Sequence, residues 1–310
     1  MRKNNDPHDL FDLIFKRLMH LSKIAVINFI NGLFKTNHPL TSKVEYLATE
    51  YVDNKLRKTL KDMMVCINGK RYMIEFQRRK DKRMALRILI YCYYDALSTQ
   101  SVNENDVIVL RSPQAAIICL ENTGKTSENI LLYYQDGTEH TFTVPVFNLP
   151  AYSLAELEDQ NMQLLLPFYI TTLQDKVKKA KTSEERRSLN SEIIALLKEI
   201  ERASDQAVSN GILESEDARV IIELLDRVNH RLFGSYDELQ EANKMSEQIL
   251  ELRTDKIVRD MELRTDKILQ EAEQKYQQKA AREKQAIAAF LRANGTPDDL
   301  ISRAFNIQTK

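Results

Sequence analysis

The dipeptide Asn68-Gly69 constrains this chain more than any other pair of residues. It lies between two alternating runs, KDMMVCI and KRYMIEFQ. A two-residue type I′ turn needs φ > 0 at both loop positions, and Asn-Gly adopts that most readily. With those residues in the loop, Ile67 faces Lys70, Val65 faces Tyr72 and Met63 faces Ile74. The same register sets Asp62 opposite Glu75. Directly opposed Cβ atoms lie roughly 4.5–5.5 Å apart, where like charges are destabilising. Gln77 follows on the Glu75 face, diagonal to Asp62. Two facing carboxylates with an amide beside them fold poorly unless something positive sits between them. A divalent cation, which takes carboxylate oxygens, answers that need. Alternation gathers Met63, Val65, Ile67, Tyr72, Ile74 and Phe76 on one core face. It sets Asp62, Glu75 and Gln77 on the other, away from the main core.

A chain of 310 residues holds one large domain or two smaller ones with extensions. Its 43% hydrophobic and 29% charged residues fit a soluble, helix-rich protein with an ample core. Only seven Gly and seven Pro argue against low-complexity disorder. The net charge of zero conceals an asymmetry. Residues 1–100 carry 19 Lys or Arg against 10 Asp or Glu, and the remainder carries 26 against 35. The half with the carboxylate pair is the basic half. That suits a polyanionic partner such as nucleic acid, and it equally suits a lysine-rich solvated surface.

Cys66, Cys92 and Cys119 are far apart and form no CxxC pattern, so they read as reduced thiols of a cytosolic protein. The charged and polar start lacks a signal-peptide plan. The apolar stretch from Leu21 to Phe34 is too short to cross a bilayer and is interrupted by Lys23, Asn28 and Asn31. These features predict no membrane association and a cytoplasmic protein.

Residues 9–35 carry apolar residues at helical spacing, with Gly32 near the helix end. A strand-like stretch from Val44 to Val52 precedes the hairpin. The run RRKDKRMALRILIYCYYDAL opens on a basic cluster and becomes a helix. Short β-rich runs follow at 106–110, 115–121, 129–135 and 140–147, with Asp136-Gly137 as a turn between the last two. This order predicts a mixed α/β core over 1–150. A helical region over 151–234 comes next, its first part interrupted at Pro167 and its later helices parted by Gly211. The 60 residues between Gly234 and Gly295 contain neither Gly nor Pro. As one helix, 235–294 would reach about 90 Å. It contains a repeat, ELRTDKIVRDM (251–261) then ELRTDKILQEA (262–272), with a period of 11 residues. Leu250, Ile257, Met261, Ile268 and Ala272 follow at intervals of 7, 4, 7 and 4, a straight or slightly right-handed seam. Such a stripe predicts a homo-oligomer through 235–294. Residues 295–310 read as a Gly295 C-cap, a Thr296 N-cap, Pro297 and a short helix. Asp298 and Asp299 at its start would repel phosphate, so it is a packing motif and not a DNA reader.

A metal on Asp62 and Glu75 would lower the pKa of a water and neutralise charge building on a phosphate. Basic residues surround that position: Lys55, Arg57, Lys58 and Lys61 before it, Arg78, Arg79, Lys80, Lys82 and Arg83 after it. They suit sequence-independent phosphate contacts.

The pattern D-x12-E-x-Q across the hairpin resembles the D...(D/E)xK site of the restriction-endonuclease-like, or PD-(D/E)XK, superfamily. The closest resemblance is to its recombination-promoting nuclease and putative transposase branch. It is carried by DLFDLIFKRLM with Asp12, Phe15, Lys16 and Leu18, by Asp62, Glu75 and Gln77, and by MALRILIY with Met84, Arg87 and Tyr91. It covers roughly residues 6–150, and the long charged helical tail ending LRANGTPDDLISRAF is similar too. The resemblance implies a restriction-endonuclease-like mixed sheet flanked by helices. It also implies a bacterial DNA endonuclease dependent on Mg²⁺ or Mn²⁺. Asp62 and Glu75 would ligate the metal and Gln77 would position water. Glu50 and Asp12 are candidates for a third acidic ligand. Gln77 departs from the superfamily lysine and carries no charge, and Lys61 stands where proline often precedes the aspartate.

Other chemistries find no support. The five histidines show no metal-ligand spacing, no Ser/His/Asp or Cys/His arrangement emerges, and neither GxxxxGK[ST] nor GxGxxG occurs. Two readings stay open: a metal-dependent endonuclease, and a catalytically degenerate nuclease-like scaffold that binds DNA or protein and oligomerises through its tail.

Overall fold

The computed structural model describes residues 7–48, 50–52, 58–60, 62–79, 81, 83–295, 297 and 300–301. Two compact units divide at Arg253/Thr254. The first opens with helices α1 (Pro7–Leu18) and α2 (Lys23–Phe34), then strands β1 (Val44–Tyr46), β2 (Glu50–Val52) and β3 (Lys58–Leu60). The hairpin strands are β4 (Met63–Ile67) and β5 (Lys70–Gln77), followed by helix α3 (Met84–Ser98). Next come β6 (Ser101–Val102), β7 (Ile108–Val109), β8 (Gln114–Cys119), β9 (Ser127–Tyr133) and β10 (Glu139–Asn148). The helices α4 (Leu154–Asp159), α5 (Leu166–Tyr169), α6 (Gln174–Lys179), α7 (Ser183–Ser209) and α8 (Ser215–Phe233) complete it with the start of α9 (Gln240–Ala293).

The single helix expected over 9–35 is two helices. Ser22 breaks the apolar period by capping α2, its Oγ accepting from the Ala25 N–H at 3.2 Å. Ser22 is itself held by Asp217 of α8, which accepts from its N–H at 2.8 Å and from its hydroxyl. A polar cap with a remote partner thus outweighs continuous apolar spacing. Gly32 lies inside α2 because a Cβ there would stand 1.9 Å from the Gln160 carbonyl oxygen. The stretch Val44–Val52 is likewise two strands, β1 on the main sheet and β2 paired with β3 apart from it.

The main sheet runs β1-β4-β5-β8-β10-β9, so the hairpin is interior. The β5–β8 and β8–β10 pairs are parallel and the others antiparallel, making the sheet mixed. Asn68 and Gly69 take φ of 49° and 81°, and the register pairs Met63 with Ile74 and Val65 with Tyr72 as the turn requires. Met63, Val65, Ile67, Tyr72, Ile74 and Phe76 enter one large core with α1, α2, α5, α7 and α8. The opposite face carries a second, smaller core in which Met64, Met73, Ile117 and Cys119 meet Met84, Ile88, Tyr91 and Cys92 of α3.

Residues 151–253 share the large core with the sheet, so the change from strands to helices near residue 150 is not where the compact units divide. Pro167 starts a short helix instead of interrupting one, since the first turn does not use its missing N–H. α7 begins with a Thr182–Glu185 capping box, and Gly211 at φ 70° separates it from α8. The start of α9 belongs to this unit. Asn229 donates to Asn243 and Ser246 at 2.9 and 3.2 Å, and buried Arg253 pairs with Asp205 at 2.7 Å.

In the second unit α9 continues unbroken to Ala293, as the absence of Gly and Pro allows. Gly295 at φ 80° turns the chain, and Ala288 and Ile301 are buried. Thr296, Asp298 and Asp299, on which the expected N-cap and acidic start depend, lie outside the described residues.

Candidate functional site

The hairpin delivers Asp62 and Glu75 to one place. Beyond the last paired residues, Met63 and Ile74, each carboxyl reaches the backbone of the facing strand. Asp62 Oδ2 accepts from the Phe76 N–H at 2.8 Å, and Glu75 Oε1 accepts from the Asp62 N–H at 3.4 Å. Glu75 is only 3% exposed, and Asp62 is half-buried. The pair stands apart from the large core, on the opposite face of the sheet, and is covered there all the same. The polar face at this end of the hairpin is covered, because α3 packs over that side of the sheet.

Burial sets the electrostatics. It pushes the Glu75 carboxyl up to about 8, and the Asp62 charge pushes the same way. Asp62 is also raised by burial, opposed by the Phe76 N–H and by the charges of Lys16 and Arg87. The two side chains share a hydrogen bond that favours the proton on Glu75. Glu75 is thus the carboxyl of the pair that keeps its proton near neutrality, as burial beside a like charge favours. Burial, then the Glu75 charge, raises Tyr91 of α3, which faces the pair.

The flanking helices bring groups that spacing alone does not reveal as site residues. The Phe15 ring stacks on Phe76 with centroids 4.6 Å apart, which sets α1 against the strand end and brings the Lys16 charge to Asp62. Arg87, one turn before Tyr91, acts on both carboxyls through space and pairs with Asp81 at 3.2 Å. Met84 and Tyr91 are buried packing residues of the second core. Gln77 is half-buried on the Glu75 face of β5.

The remaining sequence candidates are spread more widely. Arg78 lies 4.9 Å over the Phe11 ring and donates to Gln174 at 3.2 Å. Arg79 reaches Glu121 at 3.5 Å, and exposed Arg83 donates its N–H to Asp81 at 2.8 Å. Lys61, Lys80, Lys82, Lys55 and Arg57 lie outside the described residues, as do the side chains of Glu50 and Lys58. Asp12 is half-buried on α1, one turn before Lys16. Among the described residues no three His, Cys, Asp or Glu side chains gather as a metal-holding group. The pair alone still suits a hard dication. Mg²⁺ is commonly bound through one or two carboxylates, with water and substrate filling its other positions. A dication would also offset the burial and the Asp62 charge that together push the Glu75 carboxyl up.

No family model matches the chain, and no curated protein or solved structure matches it either. Among the described residues no helix is long and apolar enough to cross a membrane.

Proposed function

We propose that this chain is a Mg²⁺- or Mn²⁺-dependent DNA endonuclease of the restriction-endonuclease-like type, in the recombination-promoting nuclease and putative transposase branch, acting in a bacterial cytoplasm. The observation that carries the reading is the Asp62–Glu75 pair at the hairpin end, tied across the strands by backbone N–H groups, with Glu75 buried and pushed up to about 8. Bound there, a divalent cation supplies Lewis acidity to a phosphodiester and lowers the pKa of water. The residues do the rest. Asp62 and Glu75 hold the cation once Glu75 gives up its proton. Gln77, on the same strand face, orients the attacking water through its amide. Lys16 and Arg87 add the positive charge that Gln77 lacks. Arg79 and Arg83 offer guanidinium groups to flanking phosphates.

A second reading has its own support. Asp62 and Glu75 each accept a backbone N–H across the hairpin end, which is what a closure of the hairpin without catalysis would also do. In that case the chain is a degenerate nuclease-like scaffold that binds DNA or protein. Supercoiled-plasmid nicking in Mg²⁺, Mn²⁺ and EDTA separates the two. The enzyme reading expects nicking that EDTA stops and that Glu75→Ala and Asp62→Asn each reduce at least about 100-fold, the upper range seen even for outer-shell partners of metal sites. Intact DNA binding without nicking in any metal would leave the scaffold.

A further inference from the structure

We propose that α9 pairs in parallel with α9 of a second copy of this chain, along the seam that begins at Ile257. This inference rests on the helix alone and not on the nuclease reading. After Arg253 the helix keeps its 11-residue repeat and loses its cover. Val258, Met261, Ile268, Leu269 and Tyr276 are 48%, 60%, 66%, 57% and 76% exposed. Eleven residues make just over three turns of α-helix, so residues repeated at that interval stay on one face with little drift. Ile257, Val258 and Met261 recur as Ile268, Leu269 and Ala272, with Thr254 recurring as Thr265 and then as Tyr276. An apolar stripe of this pitch is matched along its length by a helix with the same pitch, and a second copy has it by construction.

The charges beside the stripe choose the orientation. At 100° per residue, Glu251, Glu262, Glu273, Asp255 and Asp266 fall on one flank. Arg264 and Lys275 fall on the other, followed by Glu271 and Asp260, with Lys267 and Lys256 further round, so that flank is mixed but holds the bases that lie nearest the stripe. In a parallel two-fold pair, unlike flanks meet, so the acidic flank of each helix lies along the Arg264 and Lys275 flank of its partner. In an antiparallel pair, like flanks meet, and five acids of one helix would face the same five of the other. Opposite charges at such flanks set partner orientation in helical coils.

Three measurements on the full chain decide the matter. Sedimentation at micromolar concentration should give the mass of two chains, and Ile268→Asp should raise the dissociation constant at least about 100-fold. A mass of one chain for the unaltered protein overturns the proposal. In a Cys66→Ser background, Met261→Cys and Ala272→Cys should each form a disulfide to the same residue of the second copy under mild oxidation. An antiparallel pair can self-link at no more than one height, so self-linking at one position or neither overturns the parallel arrangement. Glu262→Lys with Glu273→Lys should weaken the dimer, and adding Arg264→Glu with Lys275→Glu should restore it. Restoration would not occur if the flanks did not meet each other.

Discussion

Glu75 is the residue on which the proposed chemistry and the stability of the fold meet. Its folded carboxyl sits at about 8 against an ordinary 4.5. Between those values the folded protein keeps a proton that the unfolded chain has released. Its contribution is therefore complete below the ordinary value and is lost as pH rises through the folded one. In EDTA, thermal stability should decline from pH 5 to 9, and Glu75→Gln should flatten that decline and raise the midpoint at pH 8. Parallel curves for the two proteins would mean that the proton is not on Glu75. Metal affinity should rise over the same range, because cation and proton compete for one carboxylate. The facing of Asp62 and Glu75 was legible in the sequence because a two-residue turn leaves a single way to count along both strands. The influence of Lys16 on Asp62 was not. It depends on how α1 packs across the sheet, and helical spacing says nothing about which strand end a helix will meet. Burial of Glu75 was missed for the same reason: alternation separates two faces and leaves open that both are covered.

Among the elements, the hairpin and α2 differ in how much strain a methyl group would bring. At Gly69 a Cβ would meet nothing within 4 Å, and only the φ of 81° resists it. Gly69→Ala should cost about 1 kcal/mol through the left-handed backbone alone. At Gly32 the backbone is ordinary helix and the obstacle is the Gln160 carbonyl. Gly32→Ala must move that segment and should cost about 3 kcal/mol. Urea unfolding of both variants checks the order; a larger loss at Gly69 would mean that α2 does not pack on residue 160 as closely as found. The strands 115–121, 129–135 and 140–147 and the helices α7 and α8 could be read from alternation, period and glycine placement. The splits within 9–35 and 44–52 could not, because they come from Ser22 meeting Asp217 and from β2 pairing with β3 away from the main sheet. Both are long-range choices that outweigh local period.

At the scale of the whole molecule, one core runs from Phe11 to Ile249. A fragment of residues 1–150 should therefore lack a cooperative melting transition, while residues 1–253 should keep one; calorimetry of the two fragments tests this, and a sharp transition for the shorter fragment would refute it. Asp217 carries this unity furthest. Its carboxylate accepts from Ser22, 195 residues away at the start of α2, and from the Glu214 N–H at the start of α8, so one side chain closes two helix beginnings. A ribosome makes α1 and α2 long before Asp217 and the helix behind it exist. Until α8 emerges, Phe11, Phe15 and the apolar face of α2 lack part of their native cover, so these two helices are made well before they can settle.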